Sequence, residues 1–428
     1  MDIYTYSIEL SSRFSDPNVH EIISKIPESN LEDIGVRIEP VCPNIKNILV
    51  TGGAGFIGSF LVRKLVLLYP EFNIVVIDKL DYCASLNNLL MINGMPNYSF
   101  IKGDIMSSDL VTSILKEKEI DTIYHLAAQT HVDNSFGDSL EFTQNNVLGT
   151  HVLLEAAKAH NIKRFIHVST DEVYGEVAKT SPDCHEESIL APSNPYSATK
   201  AAAECLVISY YKSFGLPIII TRSNNIYGPC QYPEKICSKF ICSLIRDGKC
   251  YIHGDGSNSR KYLYVGDLVD ALDLILNSGQ IGEIYNIGSN FEISNLDLAK
   301  ILLEQFNIDE KKHIRYLEFV KDRPFNDLRY AIDDTKLREL GWKPKIGWDY
   351  GIKKTIDWYK ENCDKWWGDI SGALVPHPYN SYKTLPPSGD YKKKININFC
   401  GIVNYTNIIV NIIFVLVCFV FGKYFYRE

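Results

Sequence analysis

The chain has 428 residues, 46% of them hydrophobic, and a formal net charge of −8. That is enough apolar material for one large core or two moderate ones, and the acidic balance offers no general basic field, so nucleic acid is not an expected partner. The 11 cysteines are odd in number, irregularly spaced and without a CxxC pair; they read as reduced thiols of a cytoplasmic protein, not as a disulfide framework or a metal site.

Residues 1–44 read as an N-terminal extension. MDIYTYSIEL lacks the basic start and apolar run of a secretory signal. The stretch Val19 to Ile38 is mildly amphipathic, is broken by Pro27, and carries no evident chemistry. From Asn47 the pattern becomes regular. Runs rich in Val and Ile (Ile48–Thr51, Ile74–Asp78, Ser99–Lys102, Thr122–Ala127, Phe165–Ser169 and Ile218–Thr221) alternate with helical periods such as Phe56–Leu68 and Thr150–Ala159. Strands apolar throughout are buried on both faces. The alternation predicts an α/β fold, a Rossmann-like doubly wound parallel sheet over residues 45–227. After Gly228 the rhythm loosens, and 228–367 reads as a smaller substrate-binding α/β region closing over the sheet's carboxyl edge. Residues 368–400, with Pro376, Pro378, Pro386 and Pro387, read as a linker. Residues 401–426 contain the apolar run Ile402 to Phe421, interrupted by Asn404, Asn407 and Asn411 and flanked by basic residues. Two readings stay open for it: a C-terminal transmembrane anchor, which would leave the catalytic body cytoplasmic, or an apolar tail packed on the body or on a partner.

The first predicted strand runs into Thr51-Gly52-Gly53-Ala54-Gly55-Phe56-Ile57-Gly58, and a helix follows. Glycines at 52, 55 and 58 let a backbone turn tightly and approach a pyrophosphate, and the helix start supplies N–H donors. Asp78 ends the second strand, where a carboxylate accepts from a ribose 2′-hydroxyl and repels a 2′-phosphate; this selects NAD over NADP. Asp104 and Ile105 end the third strand beside the expected adenine, and Ala127 and Ala128 end the fourth, where small side chains admit a cofactor.

Tyr196 and Lys200 form a YxxxK motif whose two ends share one helix face. A free tyrosine has a pKa of about 10, so a neighbouring ammonium and a positive nicotinamide ring are expected to favour its phenolate, making Tyr196 a base for a sugar hydroxyl. Lys200 would also hold the nicotinamide ribose. Thr170, Asp171 and Glu172 end the fifth strand. Oxidation at C4 of a hexose acidifies C5, and loss of water across C5–C6 then needs one base and one acid. We assign Thr170 to the reacting O4, Asp171 as the acid and Glu172 as the C5 base.

Together TGGAGFIG, DKLDYC, HLAAQTHVDNSF, STDEVYG, PYSATK, NNIYGP, YPEK and RPFND resemble the extended short-chain dehydrogenase/reductase family, and within it the nucleotide-sugar 4,6-dehydratases, from about Asn47 to Trp367. The resemblance implies NAD as cofactor, contacted by Phe56, Ile57, Asp78, Lys79, Asp104, Ile105, Ala127, Ala128, Thr130, Asn145, Tyr196 and Lys200. It implies a nucleoside-diphosphate glucose substrate, met by His131, Thr170, Asn225, Lys235, Arg260, Asn286 and Arg323, and a homodimer. Bacterial dTDP-glucose dehydratases carry a His where this chain has Asn326 and an Arg where it has Leu328. RPFNDLRY, HGDGSNSR and WWGDISGALVPHP instead look like the dehydratase domain of plant UDP-rhamnose synthases, which favours UDP-glucose and a route toward rhamnose-type sugars. One methyl is worth only about 1–3 kcal/mol in a pocket, so dTDP-glucose stays open. The rivals are a 4-epimerase or decarboxylase of the same fold, and an inactive NAD-binding scaffold.

Overall fold

The computed structural model describes residues 3–14 and 16–377. Its strands in chain order are β1 (Asn47–Thr51), β2 (Asn73–Asp78), β3 (Tyr98–Lys102), β4 (Thr122–His125), β5 (Arg164–Thr170), β6 (Ile218–Ser223), β7 (Asn225–Tyr227), β8 (Cys250–His253), β9 (Ser259–Tyr264), β10 (Ile284–Ile287), β11 (Glu292–Ser294) and β12 (Leu317–Val320). Seven of them make one parallel sheet in the order β10-β6-β5-β4-β1-β2-β3. Val50 of β1 stands opposite Val76 on one side and Tyr124 on the other. The order reverses at β1, so the crevice outside the carboxyl ends of β1 and β4 is the switch point where such sheets hold ligands. The Rossmann-like architecture is as the alternation of runs predicts.

The division at 227/228 does not survive in three dimensions. β10, from beyond it, completes the main sheet beside β6 with Ile284 opposite Ile220, and the helix Val265–Ser278 packs on Phe56–Leu68. What stands apart from the main sheet is smaller: the ribbon β11-β9-β7 and the pair β12-β8.

The N-terminal residues are not an appendage. Leu10, Phe14, Val19, Ile23, Leu31 and Ile34 belong to the same hydrophobic core as Val50, Leu61 and Leu65. They cover the helix Phe56–Leu68, buried at every position from Gly58 onward. Lys64 of that helix is wholly buried and donates to the carbonyls of Ile34 (2.9 Å) and Val36 (3.1 Å) and to Asp270 (2.9 Å), with Asp273 at 3.5 Å. Removing one member of a buried charged cluster leaves the others uncompensated. Lys64→Ala should therefore cost about 3–5 kcal/mol, read as a lower urea midpoint.

Residues 368–377, expected as the start of a linker, also pack onto the body. Ile370 and Ala373 are buried, Lys239 Nζ donates to the Val375 carbonyl at 2.6 Å, and the His253 ring bonds the Pro376 carbonyl at 3.0 Å. Of the prolines that suggest a linker, Pro376 belongs to this docked segment. Among the described residues no helix is long and apolar enough to cross a membrane. The segment 401–426 and residues 378–400 lie outside the described residues.

Candidate active site

β1 delivers the chain into the Gly-rich turn, and the backbone there leaves no room for side chains. Gly52 has φ +69, and a Cβ on it would lie 2.8 Å from Ala127 Cα; a Cβ on Gly58 would lie 2.3 Å from the Gly52 carbonyl oxygen. Two close approaches are thus built on missing side chains: loop on loop after β1 and β4, and helix start on turn. Thr51 Oγ1 fixes the second loop by accepting from the amides of Leu126 (3.2 Å) and Ala127 (3.1 Å). The helix Phe56–Leu68 then starts at Gly55 with no side-chain cap, so its first N–H groups stay available for an anion.

A cavity of about 320 Å³ opens along this edge, within the range of small-molecule sites. Gly52, Gly55, Phe56, Ile57 and Gly58 line it, as do Asp78 and Lys79 after β2, Asp104 and Ile105 after β3, and Ala127, Ala128, Thr130 and Asn145. Every residue expected at the cofactor is therefore in one wall. The Asp78 carboxylate accepts from the amides of Ala54 (3.0 Å) and Leu80 (2.8 Å), while burial raises its pKa. Lys79 Nζ lies 3.0 Å from Asn145 Oδ1 and 3.0 Å from Asp81.

Tyr196 and Lys200 face the same cavity. Asn194 caps their helix: its side chain accepts from Ser197 N at 2.9 Å and Ser197 Oγ returns toward Asn194 N at 3.2 Å. Pro195 opens the helix and Gly215 (φ +68) closes it. Tyr196 therefore sits in a fixed first turn at the end of β5, one turn ahead of Lys200. The expected effect of Lys200 on the phenol is not found. Burial, and then the nearby Glu172 charge, push the Tyr196 pKa far above that of a free phenol. Lys200 Nζ donates to the Val168 carbonyl at 2.8 Å, and burial draws its pKa down to about 8.

β5 ends at Thr170; Asp171 and Glu172 open the short helix Asp171–Tyr174 that follows, and the three side chains diverge. Thr170 and Glu172 line the cavity. Asp171 does not: it is buried behind them, accepting from Asn224 Nδ2 at 2.7 Å, with Thr170 Oγ1 3.3 Å from its other oxygen. Burial foremost, with the Glu172 charge adding, raises the Asp171 pKa to about 7. The two carboxyls thus occupy different environments, as an acid–base division requires.

A second cavity of about 150 Å³ adjoins the first. Glu172, Asn225, Glu234 and Lys235 line both. His131, Arg260 and Arg323, expected at the diphosphate and sugar, line the second. Lys235 Nζ donates to the Thr130 carbonyl at 2.5 Å. Arg323 donates to Asp133 (3.1 Å) and Asn326 Oδ1 (2.7 Å). Burial alone would raise the Asp133 carboxyl, but Arg323, with His131 and His253 adding, outweighs it and holds the group below the usual range. His131 Nε2 and Arg323 Nε are buried without a hydrogen-bond partner, the condition in which polar atoms await a ligand.

Asn286 is the exception among the expected substrate residues. It lies on β10, fully buried, and lines neither cavity. Its amide donates to the carbonyls of Cys184 (3.1 Å) and Asp333 (3.0 Å) and accepts from the Tyr174 hydroxyl (2.9 Å). It ends a buried chain that runs from the Glu204–Arg222 pair through Tyr174. Its side chain is consumed by the scaffold.

Three residues that the sequence did not bring forward also stand at the site. Tyr330 Oη lies 3.4 Å from Glu172 Oε2 and bonds Asp327 closely, while Asn194 Nδ2 approaches the same Glu172 oxygen at 3.3 Å. Glu234 lines both cavities, and Asp133 the second. Glu234, Asp133 and Tyr330 lie inside the motifs YPEK, HLAAQTHVDNSF and RPFNDLRY, which was the available signal, although no periodicity marks the loop that holds Tyr330.

A parallel sheet with a Gly-rich first turn, an acid behind β2, and a tyrosine, a lysine and two carboxyls at its carboxyl edge defines a Rossmann-like dinucleotide-site protein with an acid–base centre beside the groove. The chain belongs to the family described as GDP-mannose 4,6 dehydratase, whose model matches residues 49–355. It is 55% identical over 338 residues to a trifunctional UDP-glucose 4,6-dehydratase/UDP-4-keto-6-deoxy-D-glucose 3,5-epimerase/UDP-4-keto-L-rhamnose-reductase of Arabidopsis thaliana, a match covering 78% of this chain and 50% of that protein. The chain thus spans about half the length of that relative. It is 49% identical to the human dTDP-D-glucose 4,6-dehydratase, covering 78% of this chain and 95% of that one. Among solved structures, the Streptomyces venezuelae dTDP-glucose 4,6-dehydratase with NAD bound superposes with a TM-score of 0.71 at 39% identity, over 75% of this chain and 98% of that one. The UDP-glucose 4-epimerase of Thermotoga maritima gives 0.67 at 31% identity, over 74% and 99%.

Proposed function

We propose that the chain is an NAD-dependent nucleotide-sugar 4,6-dehydratase, a hydro-lyase that takes UDP-glucose or dTDP-glucose to its 4-keto-6-deoxy nucleotide and water. The reading is carried by one observation: Glu172, Tyr196 and Lys200 share the wall of a single cavity, and Asp171 is buried directly behind it. A simple redox or epimerase site has no use for two carboxyls in split environments.

The groove fits the dinucleotide. Gly52 and Gly58 admit close approach, the uncapped helix start offers donors for the pyrophosphate, and Asp78 stands where an adenosine ribose would be received. When bound, NAD would supply the hydride acceptor for C4, the hydride returned to C6 once water has left, and a positive ring that favours loss of the Tyr196 proton. Tyr196 takes the proton of O4, with Thr170 positioning that oxygen. Glu172 removes the C5 proton, now acidified by the C4 ketone, and gives a proton back to C5 when C6 receives the hydride. Asp171, holding a proton up to about pH 7, passes it through the Thr170 hydroxyl to the departing O6, which leaves as water. Arg260, Lys235 and Arg323 neutralise the diphosphate.

The test is a side-by-side incubation with UDP-glucose and dTDP-glucose. We expect 4-keto-6-deoxy products, formed faster from UDP-glucose; UDP-galactose as the sole product would overturn the reading in favour of an epimerase.

A further inference from the structure

After Asp78 the chain does not run straight out of β2. Leu80 has φ +59, a left-handed conformation that leucine seldom adopts. It turns the following residues so that Asp81, Cys83 and Ala84 become part of the wall of the larger cavity. This short segment is tied down on the far side. Gln129 Nε2, in the loop after β4, donates to Asp81 Oδ2 at 2.8 Å. The Tyr82 hydroxyl donates to Glu234 Oε2 at 2.7 Å and accepts from Asn134 Nδ2 at 3.0 Å. The Tyr82 ring meets Tyr232 edge-on, with centroids 5.3 Å apart. The returning end is held where Ser85 N donates to the Ala54 carbonyl at 3.1 Å. Tyr82 and Glu234 are 152 residues apart in the chain, and Glu234 lines both cavities. The fastening therefore lies where the two cavities meet.

We propose that residues 79–84 form a strap across the cofactor groove, fastened by the Tyr82–Glu234 hydrogen bond, that retains the dinucleotide from one turnover to the next. The proposal rests on the reading of the groove as an NAD site. A reaction that withdraws and returns its hydride within one cycle has no need to exchange the cofactor, so slow release costs it nothing. Asp81, Cys83 and Ala84 are wall, so a dinucleotide leaves the groove more easily once they are free to move. Tyr82 is a positioning residue: it lines neither cavity and acts by holding the wall.

The experiment loads the full chain with NADH, mixes it with excess NAD and follows the loss of bound-NADH fluorescence, without any sugar nucleotide present. Tyr82→Phe keeps the ring and removes only the hydroxyl, at a partly exposed position. A hydrogen bond to a charged acceptor typically carries enough free energy for about a tenfold change in rate. We expect release at least about tenfold faster in Tyr82→Phe, with the number of binding sites unchanged. Release at the wild-type rate from Tyr82→Phe would overturn the strap while leaving the groove assignment intact. A wild-type chain that binds no NADH would overturn the groove assignment and the strap with it.

Discussion

Glu172→Gln should lower turnover by about 10²–10⁴-fold, the usual contribution of a positioned general base, while NAD binding stays as in the wild type. The substitution keeps the shape of a side chain set between Asn194 Nδ2 (3.3 Å) and Tyr330 Oη (3.4 Å), so the wall between the two cavities is preserved. What it removes is basicity toward C5. It also removes a negative charge that raises the pKa values of both Tyr196 and Asp171. Deprotonation of O4 should thus become no harder, and the block should fall after C4 oxidation. The measurement is solvent deuterium incorporation at C5 alongside product formation. Both should be lost while oxidation at C4 persists; a variant that exchanges C5 and forms product at the normal rate would remove Glu172 from the role of base.

Much of this site is local, and what is local was legible. β1, the glycine turn and the helix Phe56–Leu68 follow one another in sequence, and the helix begins and ends where the periodicity sets it. The Tyr196/Lys200 helix face was legible for the same reason, since the YxxxK spacing lies within one stretch. Long-range facts were not. Asn286 looks like a polar residue at a strand end beside the site, but its direction is set by Tyr174, Cys184 and Asp333, none of them near in sequence. The proton affinity of Tyr196 depends on how deeply it is buried, which the YxxxK spacing does not encode. One signal was present and passed over. FIGSFLVRKLVLL is apolar around almost its whole circumference, and a helix of that kind must be covered on more than one side. The N-terminal residues are its cover, and the short helices broken at Pro27 concealed them.

Asp171→Asn should stabilise the fold and silence it together. In the folded chain the Asp171 carboxyl titrates at about 7, against 3.8 for an exposed one, because burial disfavours its charge. Below both values the carboxyl is protonated folded and unfolded, and it costs nothing. Between pH 3.8 and about 7 the unfolded chain releases the proton while the folded chain keeps it, so stability falls as pH rises across that window and levels off above it. At about 1.4 kcal/mol per pKa unit the loss at pH 8 is of the order of 4 kcal/mol. Asparagine cannot ionise, and its oxygen still accepts from Asn224, 2.7 Å from the present carboxylate. Denaturant unfolding of the apoprotein at pH 4 and pH 8 should therefore give nearly equal stabilities at the lower pH and a variant several kcal/mol more stable at the higher. Turnover should drop because no proton is left for the departing hydroxyl, and wild-type turnover should decline as pH rises above about 7 for the same reason. A variant less stable than wild type at pH 8 would mean that Asp171 is held charged by partners that outweigh its burial. A variant with normal turnover would mean that the proton comes from elsewhere.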